Sequence, residues 1–253
     1  MEFDNNIKRK ILIDDIPALV FTPKNTSKFH PTIILYHGWG SSAEKQEFRG
    51  YILSTFGYQV IIPCAIYHGE RNPIDHENLE NAGRYFWDII FKNVEESSLL
   101  IDYAIKNLNA DPDRFGVCGN SMGGFTSAGV FTSHPDIKAM VVFNGSCNWN
   151  CSNELFGLAL NITDFSIPKD AQDKIDKYNP MSNLEHIINR PILMLHGDSD
   201  TVVDINAQRE FYKEAAPKYE DSQRLKFVEY PKLNHFVTTN MMEEAISWCN
   251  KFI

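Results

Sequence analysis

The stretch "VCGNSMGGF", Val117–Phe125, decides how this chain is read. It carries G-x-S-x-G around Ser121, a pattern that places a serine on a sharp strand-to-helix turn when a buried strand precedes it and a helix follows. Both flanks have that character. "RFGVCG" (114–119) is a short apolar run suited to a buried strand, and Met122–Phe131 is a run of small and apolar residues suited to a helix lying close on a sheet. Gly119 and Gly123 stand two residues either side of the serine, so the backbone can bend there without Cβ clashes, and Gly124 adds a third small residue. Ser121 Oγ would then stand above the sheet with a helix N-terminus beneath it.

Further runs of the same kind lie on either side. "TIILYH" (32–37), "QVIIPC" (59–64), "KAMVVFNG" (138–145) and "PILMLHG" (191–197) read as strands buried on both faces of a parallel sheet. Between them, Leu99, Ile101, Ala104, Ile105 and Leu108 form one helical stripe. The final "TTNMMEEAISWCNKFI" offers Thr and Asn caps before Met241, Ala245, Trp248 and Phe252. Strand and helix in alternation predict a single doubly wound α/β domain over 1–253, with a mostly parallel sheet flanked by helices and ligands at the carboxyl ends of the strands. Two segments fit this alternation poorly. One is the polar and aromatic 67–95; the other runs from about 147 to 188, far longer than the connection needs, and is expected to form a small helical cap over the site.

A serine hydroxyl needs a base to become a nucleophile. Of the eight histidines, His37 and His196 each end a buried strand before a glycine and read as loop-shaping residues. His30, His68, His76, His134 and His186 show no supporting partner. His235, in "YPKLNHF", follows the strand-like "LKFVEY" and precedes the last helix, so it sits in a loop at a strand's carboxyl end. The orienting acid belongs between serine and histidine, after another strand. "LMLHGDSDTVVD" offers Asp198, Asp200 and Asp204; Asp204 reads as a cap of the next helix and Asp198 follows the glycine turn directly, which favours Asp200 over Asp198. The oxyanion donors expected are the backbone N–H of Met122 and, from the glycine-rich "YHGWGSS" loop, that of Trp39.

The formal net charge of −9 and the lack of a basic cluster longer than "KRK" argue against a nucleic-acid partner. Five cysteines in unpaired spacing argue against a disulfide framework, and Cys147 and Cys151 lack the second pair that a metal site needs. With no signal-like or membrane-spanning run, the expectation is a cytoplasmic protein without membrane contact.

"HGWG", "GNSMGG", "HGDSDTVV" and "NHF" fall in an order that resembles the α/β-hydrolase superfamily over nearly the whole chain. The branch it resembles most is the small bacterial esterases related to the prolyl oligopeptidase and dienelactone hydrolase families; "HGER" (68–71) resembles the same group. That resemblance implies Ser121 as nucleophile, Asp200 as acid, His235 as base, Trp39 and Met122 as oxyanion donors, and no cofactor or metal. Asn234 stands where the family often has Gly, and Asp204 where Pro often follows. The expected activity is hydrolysis of a small-molecule carboxylic ester through an acyl-enzyme. A peptidase acting on short or N-blocked peptides, or a non-catalytic binding protein of the same fold, are the alternatives. Tyr67, Tyr85, Phe86, Trp87, Trp149, Phe156 and Phe165 supply either an apolar pocket or the cores of their own segments. Trp149, Phe156 and Arg71 are the candidate substrate contacts, with a structural ion pair as the other reading for Arg71.

Overall fold

A computed structural model describes residues 6–24, 28–159 and 167–253; Phe165 lies outside them. Among the described residues, eight strands form one sheet: β1 (Asn6–Ile13), β2 (Ile16–Pro23), β3 (His30–Tyr36), β4 (Gln59–Pro63), β5 (Ala110–Asn120), β6 (Ala139–Phe143), β7 (Ile192–Gly197) and β8 (Leu225–Tyr230). Their order is β1-β2-β4-β3-β5-β6-β7-β8, with the β1–β2 and β2–β4 pairs antiparallel and the other neighbouring pairs parallel. The architecture is the mostly parallel α/β-hydrolase sheet that the sequence predicts.

Both faces of the central strands are covered, and alternate residues feed opposite cores. Ile34, Ile61, Val117, Val142 and Met194 pack against α2 (Leu79–Asn107) and α3 (Met122–Ser133). Ile33, Leu35, Val60, Val141, Leu193 and Leu195 face the other way, toward α1 (Glu47–Thr55) and α8 (Thr239–Phe252). Each such large side chain removed from water stabilises the fold by about 1.5–3 kcal/mol before chain entropy is counted. Thr238 accepts from the Met241 N–H and so caps α8, as the sequence suggests. Asp204 likewise accepts from the Asn206 N–H at the start of α7 (Asn206–Ala215).

Two features differ from the sequence reading. The β1–β2 hairpin was not legible, because β1 is an exposed edge strand that carries Lys8, Arg9 and Lys10 rather than an apolar run. Asp14, at φ 51°, supplies its tight turn. The segment 67–95 is not wholly an addition, since from Leu79 onward it is the first half of α2, the crossover from β4 to β5. Asn78 caps that helix through the Glu80 N–H, and only Ile89, Ile90, Phe91, Asn93 and Val94 are buried in its first half, so charged residues mask the stripe.

The described part of 147–188 forms α4 (Trp149–Ala159), α5 (Lys169–Tyr178) and the short α6 (Leu184–Ile187). Here α4 touches α7, and α5 touches α3. No helix among the described residues is long and apolar enough to cross a membrane.

Candidate active site

Ser121 joins β5 to α3 with φ 58° and ψ −125°, a conformation that costs a non-glycine residue on the order of 1–3 kcal/mol. The surroundings hold it there. Its N–H donates to Phe143 O at 2.9 Å, and its carbonyl accepts from Gly124 and Phe125. The flanking glycines are needed for close approach. A Cβ at Gly119 would lie 2.0 Å from Gly123 O, and one at Gly123 would lie 2.2 Å from Tyr36 O. Helix α3 is buried nearly all round, so the turn stands on a rigid base. Ser121 Oγ makes no hydrogen bond to the described residues.

The loops after β7 and β8 bring Asp200 and His235 together. His235 Nδ1–H donates to Asp200 Oδ2 at 2.7 Å, which leaves Nε2 free of the described residues. Asp200 Oδ1 accepts from the N–H groups of Val202 and Val203. Burial alone would raise the Asp200 carboxyl. The hydrogen bonds from His196 and His235, the charge of His235 and the Val203 N–H outweigh it and hold the group well below the usual carboxylate range. Asp198 faces elsewhere: it accepts from Lys232 N–H and Ser199 Oγ–H.

The two loops are fastened to each other. A Cβ at Gly197 would lie 2.3 Å from Leu233 O, and the Ser199 N–H donates to that carbonyl. Asn234 Oδ1 accepts from the N–H groups of Thr201 and of His235. Asn144, at φ 44°, links the pair back toward β6 and Ser121: its Nδ2–H donates to Phe236 O, and its Oδ1 accepts from Gly197 N–H. Because β5, β6, β7 and β8 are neighbours in that order, the histidine loop must reach back across two strands, and Asn144 at the end of β6 holds it there. Sequence reasoning missed Asn144. Its only signal was the "FNG" that closes β6.

On the other side of Ser121 lies the loop after β3. A Cβ at Gly38 would be 3.2 Å from Ser121 Cβ, so this loop abuts Ser121. Met122 opens α3, where first-turn N–H groups have no acceptor inside the helix. Among the described residues neither its N–H nor that of Trp39 donates to another backbone carbonyl outside the regular elements. Three histidines buttress this loop. His37 Nε2 accepts from Ala65 N–H, so its Nδ1 carries the proton and donates to Gly38 O at 2.9 Å. His68 Nε2 accepts from Gly40 N–H, and its Nδ1–H donates to Ile66 O. His76 O accepts from Trp39 Nε1–H at 2.9 Å. Burial pushes His37 down to about 4, and burial with the neighbouring His37 pushes His68 down to about 3. The partners of His68 and His76 are set by the fold and had no sequence signal beyond "HGER".

Of the two readings of Arg71, substrate contact and structural ion pair, the structure shows the ion pair: its guanidinium is buried and committed to Glu96 through two bonds of 2.9 and 2.7 Å, and to Cys64 O at 3.0 Å. Trp149 is likewise built into the framework. It is fully buried, donates Nε1–H to Ser146 O, packs on Trp87 and fills the space above Gly129. Phe156 is half-buried, with its ring centroid 6.0 Å from Phe86 and 6.3 Å from Phe125 of α3. Phe86 in turn lies 6.4 Å from Trp39, so a line of rings runs from the loop after β3 to α4. Cys147 and Cys151 are free thiols, and no group of three or more His, Cys, Asp or Glu among the described residues is placed to hold a metal ion.

A family model described as "Prolyl oligopeptidase family" matches residues 92–251. The chain is 29% identical over 252 residues to "Putative esterase YitV" of Bacillus subtilis (strain 168), covering 95% of this chain and 97% of that protein. It is 27% identical over 247 residues to "Esterase YjfP" of Escherichia coli (strain K12), covering 92% and 94%. The solved structure of TT1662 from Thermus thermophilus superposes with a TM-score of 0.76 at 17% identity and covers 97% of each chain.

Proposed function

Since the chain belongs to the prolyl oligopeptidase family, we propose that it is a serine hydrolase that opens small-molecule carboxylic esters through Ser121, His235 and Asp200. The observation that carries this reading is the 2.7 Å hydrogen bond from His235 to a fully buried Asp200 side chain, in a molecule whose Ser121 is held at a left-handed φ. In this mechanism Ser121 Oγ attacks the ester carbonyl while its proton passes to His235 Nε2, and Asp200 stabilises the imidazolium through Nδ1–H. The oxyanion accepts from the N–H groups of Met122 and Trp39. Collapse expels the alcohol, which takes the proton from His235. Water then repeats the sequence on the acyl-enzyme and frees the acid.

Relatives matched over nearly their whole length and named as esterases favour an ester over a peptide. The ring series Trp39, Phe86 and Phe156 supports an apolar acyl or alcohol group, with α4 and its neighbours as the cap. The test is hydrolysis of p-nitrophenyl esters of graded chain length, together with fluorophosphonate labelling. Ser121→Ala should bring both to background with an unchanged melting temperature. Wild-type turnover by that variant would overturn the assignment, and turnover of blocked dipeptide anilides in place of esters would exchange the ester for an amide.

A further inference from the structure

His196 is the penultimate residue of β7, with its side chain wholly out of solvent, and the acyl-transfer mechanism does not use it. Its Nε2 lies 2.9 Å from Val203 O and 3.2 Å from Asp200 Oδ2. Both neighbours are acceptors, so Nε2 carries the proton and faces the two together. The other nitrogen, Nδ1, is buried without a partner. A buried imidazole with one orphaned nitrogen is a costly way to fill space that Leu or Met would fill, so the reason for it lies in what Nε2–H does.

We infer that His196 is a positioning residue for the acid–base pair: its Nε2–H clamps the Asp200 carboxylate to the 200–203 turn so that Oδ2 stays aimed at His235 Nδ1. The inference rests on the triad reading above. Asp200 lies on a loop, and its Oδ1 is held only by the turn's own Val202 and Val203 N–H groups. Those bonds fix one oxygen and leave the carboxylate plane free to swing about it. His196 belongs to the sheet, so its N–H ties the second oxygen to the most rigid part of the fold. The same N–H reaches Val203 O and closes the turn from both sides. With His235 at 2.7 Å, all four contacts to the carboxylate are then donors. Other charged groups flank the pair at its edges. Glu229 of β8 stands opposite His196 in the ladder and is held by Arg209 of α7, while Asp198 accepts from the Lys232 N–H of the loop after β8 and Asp204 from the Asn206 N–H of its own turn.

The test compares His196→Leu, His196→Asn and His196→Gln in ester hydrolysis, with Asp200→Asn as reference. A glutamine amide reaches the place of Nε2, whereas an asparagine amide reaches only that of Nδ1. Leu and Asn should lower kcat by about 10- to 100-fold with KM within about twofold, the loss expected of a small misplacement of the base. They should also move the acidic limb of kcat/KM to higher pH, because a carboxylate with one donor fewer holds the His235 proton more strongly. Gln should return kcat to within about threefold of wild type and restore the limb. Wild-type kcat and pH profile in folded His196→Leu would overturn the inference, as would equal loss in Asn and Gln. Long-range 1H–15N NMR of the wild-type protein at pH 8 should find the His196 proton on Nε2; a proton on Nδ1 overturns the inference whichever variants fold. If Asp200→Asn itself keeps wild-type activity, the triad reading fails first and is told apart from a failure at His196.

Discussion

The two sides of Ser121 are both built with histidine, and they use it in opposite ways. On the side of the loop after β3, where the proposal puts one oxyanion donor, His37 and His68 have both ring nitrogens engaged with backbone groups, one donating and one accepting. On the other side, to which the proposal gives the acid–base chemistry, His235 gives one nitrogen to a carboxylate and keeps the other free of the described residues, at 18% side-chain exposure. An imidazole locked between a donor and an acceptor can stay neutral and rigid but cannot move a proton. One that faces a carboxylate on one edge and open space on the other can. The role of each histidine thus follows from what its second nitrogen meets.

The comparison breaks most sharply at Asp200. Asp200→Asn removes the charge and reverses the hydrogen bond that His235 can make, and kcat for p-nitrophenyl esters should fall by about 10⁴-fold. A loss below about tenfold would mean that the acid–base side does not depend on its carboxylate.

The next test concerns the turn between the two sides. Gly123→Ala drives a methyl to 2.2 Å from Tyr36 O, where backbone must move. The cost should be about 3 kcal/mol, read as a fall in melting temperature and in fluorophosphonate labelling together. Stability within about 0.5 kcal/mol of wild type would show that the elbow and β3 are not in the tight contact described.

Acid should weaken the oxyanion side first. His37 and His68 are held down at about 4 and about 3, while an unfolded imidazole protonates near 6.5. Between these values the unfolded chain binds protons that the folded one does not, so stability is intact above about pH 6.5 and falls as pH drops toward about 4. The slope should be about 1.4 kcal/mol per pH unit for each fully responding group, measured by urea melts across that range. Asp200 acts the same way only lower, below the ordinary carboxylate range, because its folded value is depressed. His68→Gln keeps an acceptor for Gly40 N–H and should flatten the slope; an unchanged slope would place the titration elsewhere.

The smallest effect is expected at Asn234. Asn234→Gly removes the bonds to Thr201 and to the His235 N–H. A loss of about 1 kcal/mol and a few-fold fall in kcat would mark it as the fastener between the acid and base loops.

The chain by itself determined the sheet's parallel core and the order of the three candidate residues. Both are local properties. A buried strand needs consecutive apolar residues, and a strand-to-helix elbow needs glycines at two fixed offsets, so "GNSMGG", "HGDSD" and "NHF" could be read without any partner. The bridge from His196 to Asp200, the Asn144 link to Phe236 and the His68 support of Gly40 had no such signature. Each joins residues whose meeting depends on which strands are neighbours and how far a loop reaches back across them. Arg71 and Trp149 show the same limit in reverse: residue types suited to substrate binding were spent on Glu96 and on the space above Gly129. At the sheet's edge, β1 stayed hidden because an exposed strand buries too little to leave an apolar run, whereas the buried apolar run of its partner β2 was passed over. Local chemistry selects which side chains are able to react. Tertiary packing decides which of them meet, because a hydrogen bond of 2.7 Å between residues 35 positions apart exists only after the sheet has set the distance.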